Sequence, residues 1–347
     1  MGEYILEVEN LRKWFPIRRS LRQFFRGEQR WVRAVDGVSF KIRQGEIFAL
    51  IGESGCGKTT TGKLLMKLLE PTGGRILFDG RDVTHLEGRE LARYKREVQM
   101  VFQDPYASMN PRFRIGQVLT EPLIIHRLGR DMRARMEMAA RALAEVKLVP
   151  PEEYLERFPH MLSGGQRQRV AMARTLILNP RFIVADEPVS MVDLSTRAEL
   201  LQMMKEVQQD LNLTYLYITH DLSTARYFAD RIAVMYLGKI VEMGEADEII
   251  DRPLHPYTKA LICAVCEPVP GRVERLKDLP IKGEIPSAAE IPPGCKFHPR
   301  CLYAEAECRA AEEPALEEAG GGHLVACRRY RELAEEAVEA AGFSLTP

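Results

Sequence analysis

The sequence contains no apolar stretch that approaches the roughly 18 consecutive residues needed to cross a membrane. It also lacks an excess of charge, because 49 Lys and Arg residues balance 49 Asp and Glu residues. This balance excludes the strongly basic composition of non-specific nucleic-acid binders and lipid-surface anchors, so we expect no nucleic-acid partner. The first residues, MGEYILEVENL, are acidic and alternate in polarity, which predicts a strand and not a signal peptide. We therefore expect a cytosolic chain.

Cysteine is scarce, with seven residues in 347, yet four of them lie near the C-terminus. We call these four the tail cysteines: Cys295, Cys301, Cys308 and Cys327. Structural disulfides are rare in the cytosol, which favours a metal or redox role. The tail cysteines have five, six and eighteen residues between them. Neither zinc ribbons nor common ferredoxin motifs have this spacing, so iron, zinc and a metal-free tail all remain open.

The composition changes about two-thirds of the way along the chain. Residues 1 to about 250 alternate short apolar runs with longer amphipathic segments, which predicts an α/β fold with a largely parallel sheet. After Pro253 prolines become frequent and the apolar periodicity weakens. We therefore predict one domain over residues 1–250 and a C-terminal region over residues 251–347.

The segment GESGCGKTT, Gly52 to Thr60, has the spacing of a P-loop between a predicted strand and a predicted helix. Glycines let backbone N–H groups turn towards phosphates, and the helix N-terminus adds partial positive charge. Lys58 is predicted to reach the β and γ phosphates, and the Thr59 hydroxyl to bind Mg²⁺. The predicted nucleotide-binding residues of the P-loop are Gly52, Ser54, Gly55, Gly57, Lys58, Thr59 and Thr60.

A second segment, FIVADEP, is an apolar run that ends in two carboxylates. This pattern is typical of a buried parallel strand whose carboxyl end opens into a site. We predict that Asp186 orients Mg²⁺, directly or through water, and that Glu187 is the general base that polarises the attacking water. ATP and Mg²⁺ are therefore the predicted ligands.

The segment MLSGGQRQRVAMAR, Met161 to Arg174, resembles the signature motif of ATP-binding cassette (ABC) ATPases. In physical terms, Ser163 and the following glycine amides begin a predicted helix and form a second anion site. The resemblance implies that this site contacts the γ-phosphate held by a partner's P-loop, so that two ATPases form a head-to-tail dimer. The residues implied at that contact are Ser163, Gly165, Gln166 and Asp193.

The resemblance also implies roles for other positions. Gln103 is similar to the glutamine that senses Mg²⁺ and the attacking water, and His220 to the switch histidine at the γ-phosphate. Asp193 matches the aspartate of the D-loop, although Met191-Val192 stands where the family usually has Ala-Leu.

The residue that stacks on the base is harder to assign. Phe15 is the best match for the stacking aromatic, with Trp14 and Trp31 as rivals.

The resemblance also implies the fold. The implied fold is the P-loop NTPase fold of ABC ATPases, which has a RecA-like core and an antiparallel β subdomain. A helical subdomain is implied at about residues 105–165, followed by a cysteine-containing C-terminal extension.

Three segments further resemble importer ATPases of the oligopeptide/dipeptide/nickel family: QDPYASMNPR, HPYTKAL and the tail IPPGCKFHPRC. The resemblance implies uptake of peptides or related solutes at the cytoplasmic face of the membrane, where the chain is peripheral. Implied partners are a second ATPase (in a heterodimer or homodimer), two permeases and, indirectly, an external solute-binding protein. It also implies a [4Fe–4S] cluster on the tail cysteines, with zinc as the alternative.

The alternative function is a non-transport cassette ATPase of the iron–sulfur assembly or DNA-repair type, because a fold alone does not give transport. The chain carries one cassette, has no heptad run between Lys58 and Asp186, and has the C-terminal extension. These three features favour the importer.

Overall fold

The computed structural model describes residues 3–17, 29–104, 109–264, 281–309 and 312–333. Residues 105–108, the first four of the predicted helical subdomain, lie outside the described residues. The same four residues are part of the QDPYASMNPR segment. The strands are β1 (Tyr4–Pro16), β2 (Trp31–Arg43), β3 (Ile47–Ile51), β4 (Gly73–Phe78), β5 (Arg81–Asp82), β6 (Val98–Val101), β7 (Phe182–Asp186), β8 (Thr214–Thr219), β9 (Arg231–Tyr236), β10 (Lys239–Glu245), β11 (Glu317–Gly320) and β12 (His323–Val325).

The helices lie mainly between these strands. They are α1 (Lys58–Leu65), α2 (Gly88–Glu97), α3 (Ile115–Ile125), α4 (Met132–Glu145), α5 (Pro151–Leu155), α6 (Gly164–Leu176), α7 (Leu194–Leu211), α8 (Leu222–Phe228), α9 (Ala246–Asp251) and α10 (Pro256–Ala264). The alternation of strand and helix gives the predicted α/β architecture.

The central sheet of the described residues has eight strands in the order β11-β12-β10-β9-β3-β8-β7-β6. The block β9-β3-β8-β7-β6 is parallel, and β10, β12 and β11 continue it in antiparallel pairs. A second, four-stranded antiparallel sheet has the order β2-β1-β4-β5. The parallel block positions the functional residues, because its strands all end at one edge.

Alternate residues of β3 explain why this sheet is covered on both faces. Ile47, Ala49 and Ile51 belong to one buried cluster, whereas Phe48 and Leu50 belong to another. The first cluster contains helices α3, α4, α6 and α7, and the second contains the antiparallel sheet and α1. The period of two follows from strand geometry, and the unbroken apolar run reflects burial of both faces.

The C-terminal region is joined to the cassette through the sheet. Strand β12 pairs with β10, so chain from beyond residue 251 extends the central sheet. Glu242 of β10 is fully buried and accepts hydrogen bonds from the backbone N–H groups of Leu254 (2.6 Å) and His255 (3.0 Å). The Nε2 atom of His323 lies 2.8 Å from the same carboxylate. A buried charge that is paired in this way fixes the two parts of the chain together.

The HPY segment packs into the core instead of facing solvent. The ring of Phe297 contacts those of His255, Tyr257 and Tyr236 of β9, and the rings of Tyr236 and Tyr257 also contact each other. Burial lowers the pKa of His255 to about 4, so the imidazole is neutral at neutral pH. The segment is thus the joint through which the C-terminal region docks on the cassette.

Candidate active site

The candidate site lies at the carboxyl edge of four adjacent strands, β3, β8, β7 and β6. The P-loop follows β3, His220 follows β8, Glu187 follows β7 and Gln103 follows β6. They surround a cavity of about 720 Å³. Its lining residues are Ala34, Gly52, Glu53, Ser54, Gly55, Gly57, Lys58, Thr59, Thr60, Gln103, Glu187, His220, Leu261 and Ile285. The structure thus brings together residues that the sequence places far apart.

The P-loop requires glycine where it passes closest to its neighbours. Gly57 has φ of +114°, and a Cβ atom there would lie 2.1 Å from the backbone oxygen of Ala34. Helix α1 begins at the next residue, so its first N–H groups face the cavity. The buried Lys58 donates from Nζ to the backbone oxygens of Gly52 (2.6 Å) and Glu53 (3.0 Å). This arrangement places the lysine charge and the N-terminus of helix α1 at the same point.

The predicted magnesium ligands meet beside the P-loop. Thr59 Oγ1 donates to Asp186 Oδ1 at 3.1 Å. Burial raises the pKa of Asp186, and the bond from Thr59 and the charges of Lys63 and Lys58 oppose that shift. A hydroxyl and a carboxylate are hard oxygen donors of the kind that Mg²⁺ prefers. The two side chains therefore fit a Mg²⁺ ion that also binds phosphate oxygens.

Glu187 is held from both sides. Its Oε2 accepts a hydrogen bond from Gln103 Nε2 at 3.0 Å, and its Oε1 lies 2.9 Å from Nδ1 of His220. Because an ionised carboxylate only accepts, this nitrogen of His220 donates to Glu187 when the latter is charged. Glu187 also has φ of +46°, a strained conformation that clusters at functional sites. The carboxylate is thereby aimed into the cavity.

The signature segment lies elsewhere. Ser163 is the N-cap of α6, and its side chain accepts from the backbone N–H of Gln166 at 3.3 Å. Gln166 returns the bond, since its Oε1 accepts from the N–H of Ser163 at 3.0 Å. A Cβ atom on Gly165 would lie 2.5 Å from Cγ2 of Thr196. Neither these residues nor the exposed Asp193 line the cavity.

The three aromatic candidates for base stacking are also absent from the cavity lining. Lys13 Nζ lies 5.2 Å from the ring centroid of Phe15. Trp14 donates from Nε1 to Asp36 at 3.1 Å, and Trp31 is partly exposed at the start of β2. The apolar lining is supplied instead by Ala34, Leu261 and Ile285.

Sequence reasoning missed the contribution of the C-terminal region to this site. Leu261 and Ile285 line the cavity, and Tyr257 and Arg300 contact the P-loop at Glu53. The ion pair between Arg300 and Glu53 joins residues that are 247 positions apart. Two stretches that contain these residues stood out in the sequence: HPYTKAL, with Tyr257 and Leu261, for its family resemblance, and HPRC, with Arg300, for its cysteine. Neither pattern indicated a contact with the P-loop.

The tail cysteines line one small cavity of about 20 Å³, beside the buried ring of Phe297. Burial raises the pKa of Cys295 to about 11 and that of Cys327 to about 12, which keeps these thiols protonated. However, no group of three or more His, Cys, Asp or Glu side chains in the described part of the chain is arranged to hold a metal ion. The expected cluster or zinc ion has no support from this geometry.

Within the described ranges, no helix combines the length and the apolar character needed to cross a membrane.

Two family models match the sequence. The model described as "ABC transporter" matches residues 35–190, and "Oligopeptide/dipeptide transporter, C-terminal region" matches residues 241–308. Among curated proteins, the chain is similar to the oligopeptide transport ATP-binding protein AppF of Bacillus subtilis (46% identity, 94% of this chain and 98% of that protein). It is also similar to the putative oligopeptide transport ATP-binding protein YkfD of the same species (44% identity, 94% and 96%).

Solved structures confirm the cassette fold. A dimeric post-hydrolysis state of the ATP-binding cassette MJ0796, bound to ADP and Pi, superimposes with a TM-score of 0.60 at 28% identity. The match covers 70% of this chain and 98% of that one. The CbiO1 protein of Clostridium perfringens, part of an ABC transporter complex, gives a TM-score of 0.62 at 24% identity, with 80% and 100% covered.

Proposed function

Since this chain belongs to the ABC transporter ATPases of the oligopeptide/dipeptide type, we propose that it is the ATP-hydrolysing subunit of a peptide importer. The observation that carries the proposal is the position of Glu187, which Gln103 and His220 orient towards the cavity lined by the P-loop. The relatives reported above give no support to iron–sulfur assembly or DNA repair. The transported solute is proposed as peptide because both curated relatives are named for oligopeptide transport.

The roles of the site residues follow from their positions. Lys58 exchanges its bonds to the carbonyls of Gly52 and Glu53 for bonds to the β and γ phosphates, and the P-loop amides bind the remaining oxygens. Thr59 and Asp186 would hold Mg²⁺, with Gln103 close by, and the ion would neutralise phosphate charge.

Glu187 acts on the attacking water and His220 on the γ-phosphate. Glu187 accepts the hydrogen bond of the water and orients it in line with the γ-phosphate. His220 donates to Glu187 and lines the same cavity as the P-loop, which supports a role for its ring at the γ-phosphate. Gln103 completes the support of Glu187 from the opposite side.

The signature segment and Asp193 serve the nucleotide of a partner subunit. Their support is their position: Ser163, Gly165, Gln166 and Asp193 lie outside the cavity of their own chain. Met161, Met191 and Leu194 nearby expose 58%, 62% and 79% of their surface, which is costly unless a partner covers them. We propose a head-to-tail dimer with a second ATPase of the same kind, as a heterodimer or a homodimer. We also propose that Phe15, a partly buried aromatic residue on β1, stacks on the base.

The purified chain alone is expected to hydrolyse ATP slowly, because each complete site needs a signature segment from a second subunit. Specific activity should rise with protein concentration, or with added partner ATPase, in parallel with dimer formation measured by light scattering. Full activity in a preparation shown to be monomeric would contradict the dimeric site.

A groove between the core and the helical subdomain is proposed to receive the permease. It is lined by residues including Met66, Leu68, Phe102 and Ile125, and encloses about 290 Å³. Leu68, Phe102 and Ile125 are all exposed although they are large and apolar. Two permeases would dock one ATPase each at the cytoplasmic face of the membrane, and an external binding protein would deliver the peptide to them.

We propose a domain boundary between residues 250 and 251. We also propose that the tail cysteines form a metal centre. The proposal of a [4Fe–4S] cluster, or of zinc as the alternative, rests on the chemistry of the donors alone, because four thiols are a ligand set that both centres use. The segment around the thiols must rearrange to ligate a metal, since no metal-holding group occurs there among the described residues.

Anaerobically purified protein is expected to show a visible absorbance shoulder and iron by elemental analysis, both lost in Cys301→Ser. The matched control is Cys263→Ser, because Cys263 is exposed on α10 and away from the cavity of the tail cysteines. Stoichiometric zinc without iron would select the alternative, and four free thiols with no metal would exclude both.

A further inference from the structure

Two residues of the C-terminal region, Tyr257 and Arg300, contact the P-loop at Glu53. We propose that Arg300 and Tyr257 are positioning residues that fix Glu53 and thereby set the affinity of the P-loop for ATP. The inference rests on the proposed function, because it assumes that ATP binds at this P-loop. It assigns to the C-terminal region a part in nucleotide binding.

Arg300 makes the strongest of these contacts. Its Nη1 and Nη2 atoms donate to Oε2 and Oε1 of Glu53 at 2.7 Å and 3.0 Å, which is a two-pronged ion pair. The Arg300 side chain is 8% exposed and that of Glu53 is 25% exposed. The guanidinium lies 5.8 Å and 6.0 Å from the ring centroids of Tyr236 and Phe297. Two rings and two oxygens therefore leave Arg300 little freedom to move.

Tyr257 holds the backbone of the same residue. Its hydroxyl oxygen accepts a hydrogen bond from the N–H of Glu53 at 2.9 Å. The ring of Tyr257 is fully buried, with its centroid 4.7 Å from that of Tyr236 and 5.4 Å from that of Phe297. The hydroxyl is thus presented from a rigid aromatic cluster.

Glu53 in turn holds the lysine of the P-loop. Its backbone oxygen accepts from Lys58 Nζ at 3.0 Å and from the N–H of Cys56 at 3.3 Å. The N–H, the carbonyl and the carboxylate of Glu53 are therefore all engaged, two of them by the C-terminal region. Movement of Arg300 or Tyr257 would pass to Lys58 through one residue.

A second contact supports the other side of the P-loop. Lys296, four residues before Arg300, donates from Nζ to Asp36 Oδ2 at 3.0 Å and to the backbone oxygen of Leu237 at 3.1 Å. The N–H of Gly238, the next residue, donates to the backbone oxygen of Cys56 at 2.8 Å. The segment between Cys295 and Cys301 thus contacts the P-loop directly at Glu53 and is linked to Cys56 indirectly, through Leu237 and Gly238.

These contacts predict an effect on binding and not on the chemical step. A loop that is already held in its binding conformation loses less entropy when the ligand binds. Without Arg300, the half-buried Glu53 carboxylate loses its cation and draws away from the rings towards water. The P-loop then samples more conformations, whereas Glu187, Gln103 and His220 stay in place because they sit on other strands.

The test measures ATP affinity of the full-length chain by isothermal calorimetry, together with KM and kcat in the complete transporter. In Arg300→Met, we expect about tenfold weaker ATP binding and a matching rise in KM, with kcat within about twofold of the wild type. Arg300→Lys should recover part of the affinity, since it keeps the charge but not the two-pronged geometry. Tyr257→Phe removes one acceptor and should weaken binding about threefold.

The matched control is Arg329→Met, which breaks an ion pair of the C-terminal region with Glu305 (2.6 Å) that does not touch the P-loop. It should bind ATP as the wild type does. If Arg300 only stabilised the fold, Arg300→Met would reduce the fraction of active protein, which lowers the apparent kcat and leaves KM unchanged. This result would overturn the proposal. If Arg300→Met fails to fold, Tyr257→Phe and Arg300→Lys decide by the same measurements, and unchanged affinity in both overturns it. Absence of ATP binding by the wild type would instead refute the proposed function.

Discussion

Glu187→Gln is expected to abolish ATP turnover and leave ATP binding intact. Gln has the shape of Glu and can keep a contact with Gln103 or His220, which lie 3.0 Å and 2.9 Å from the two carboxylate oxygens. What it loses is the negative charge and basicity that orient the attacking water. Removing a positioned general base typically lowers a rate by about 10²- to 10⁴-fold.

The measurement combines steady-state hydrolysis, equilibrium ATP binding and size-exclusion chromatography in the presence of ATP. The variant should bind ATP normally and accumulate as a closed ATPase dimer, because the hydrolysis that opens the dimer no longer occurs. Glu206→Gln is the matched control, since Glu206 is a carboxylate on α7 that pairs with Lys147, remote from the cavity lining. Wild-type hydrolysis by Glu187→Gln would show that another group acts as the base.

Lys58→Met is expected to weaken ATP binding itself. Met keeps most of the volume of the buried lysine stem but cannot donate to phosphate oxygens. A hydrogen bond to a charged group contributes about 1.5–3 kcal/mol, so the loss corresponds to about 10- to 150-fold in Kd. The carbonyls of Gly52 and Glu53 also each lose the hydrogen bond from Lys58 Nζ, which loosens the P-loop further.

Calorimetric titration with Mg-ATP measures this effect, and circular dichroism verifies the fold. Lys41→Met serves as the control, because Lys41 lies on β2, is exposed and pairs with Glu7 at 2.7 Å, away from the cavity. The two active-site variants should therefore differ in kind: Lys58→Met binds ATP weakly, whereas Glu187→Gln binds ATP normally but does not turn it over. Equal ATP affinity of Lys58→Met and Lys41→Met would refute the assignment of the P-loop.

The sequence alone determined the chemistry that depends on neighbouring residues. The P-loop needs glycines, a lysine and a hydroxyl at fixed spacing, and FIVADEP needs an apolar strand that ends in acids, so both are legible without a structure. The α/β class and the signature segment at a helix start were legible for the same reason. The carboxyl ends of parallel strands share one edge, which made the grouping of Lys58, Glu187 and His220 predictable.

Only the tertiary structure decided which distant residues meet. Nothing in local pattern pairs Glu53 with Arg300, adds β11 and β12 to the central sheet, or directs Leu261 and Ile285 into the nucleotide cavity. These contacts join segments that are distant in the chain, 247 positions apart for Glu53 and Arg300. They arise because a buried polar group must find a partner, and only the folded chain determines which one is in reach. The composition change near residue 250 indicated a separate C-terminal region. In the folded chain this region packs against the P-loop, and two of its residues line the cavity there.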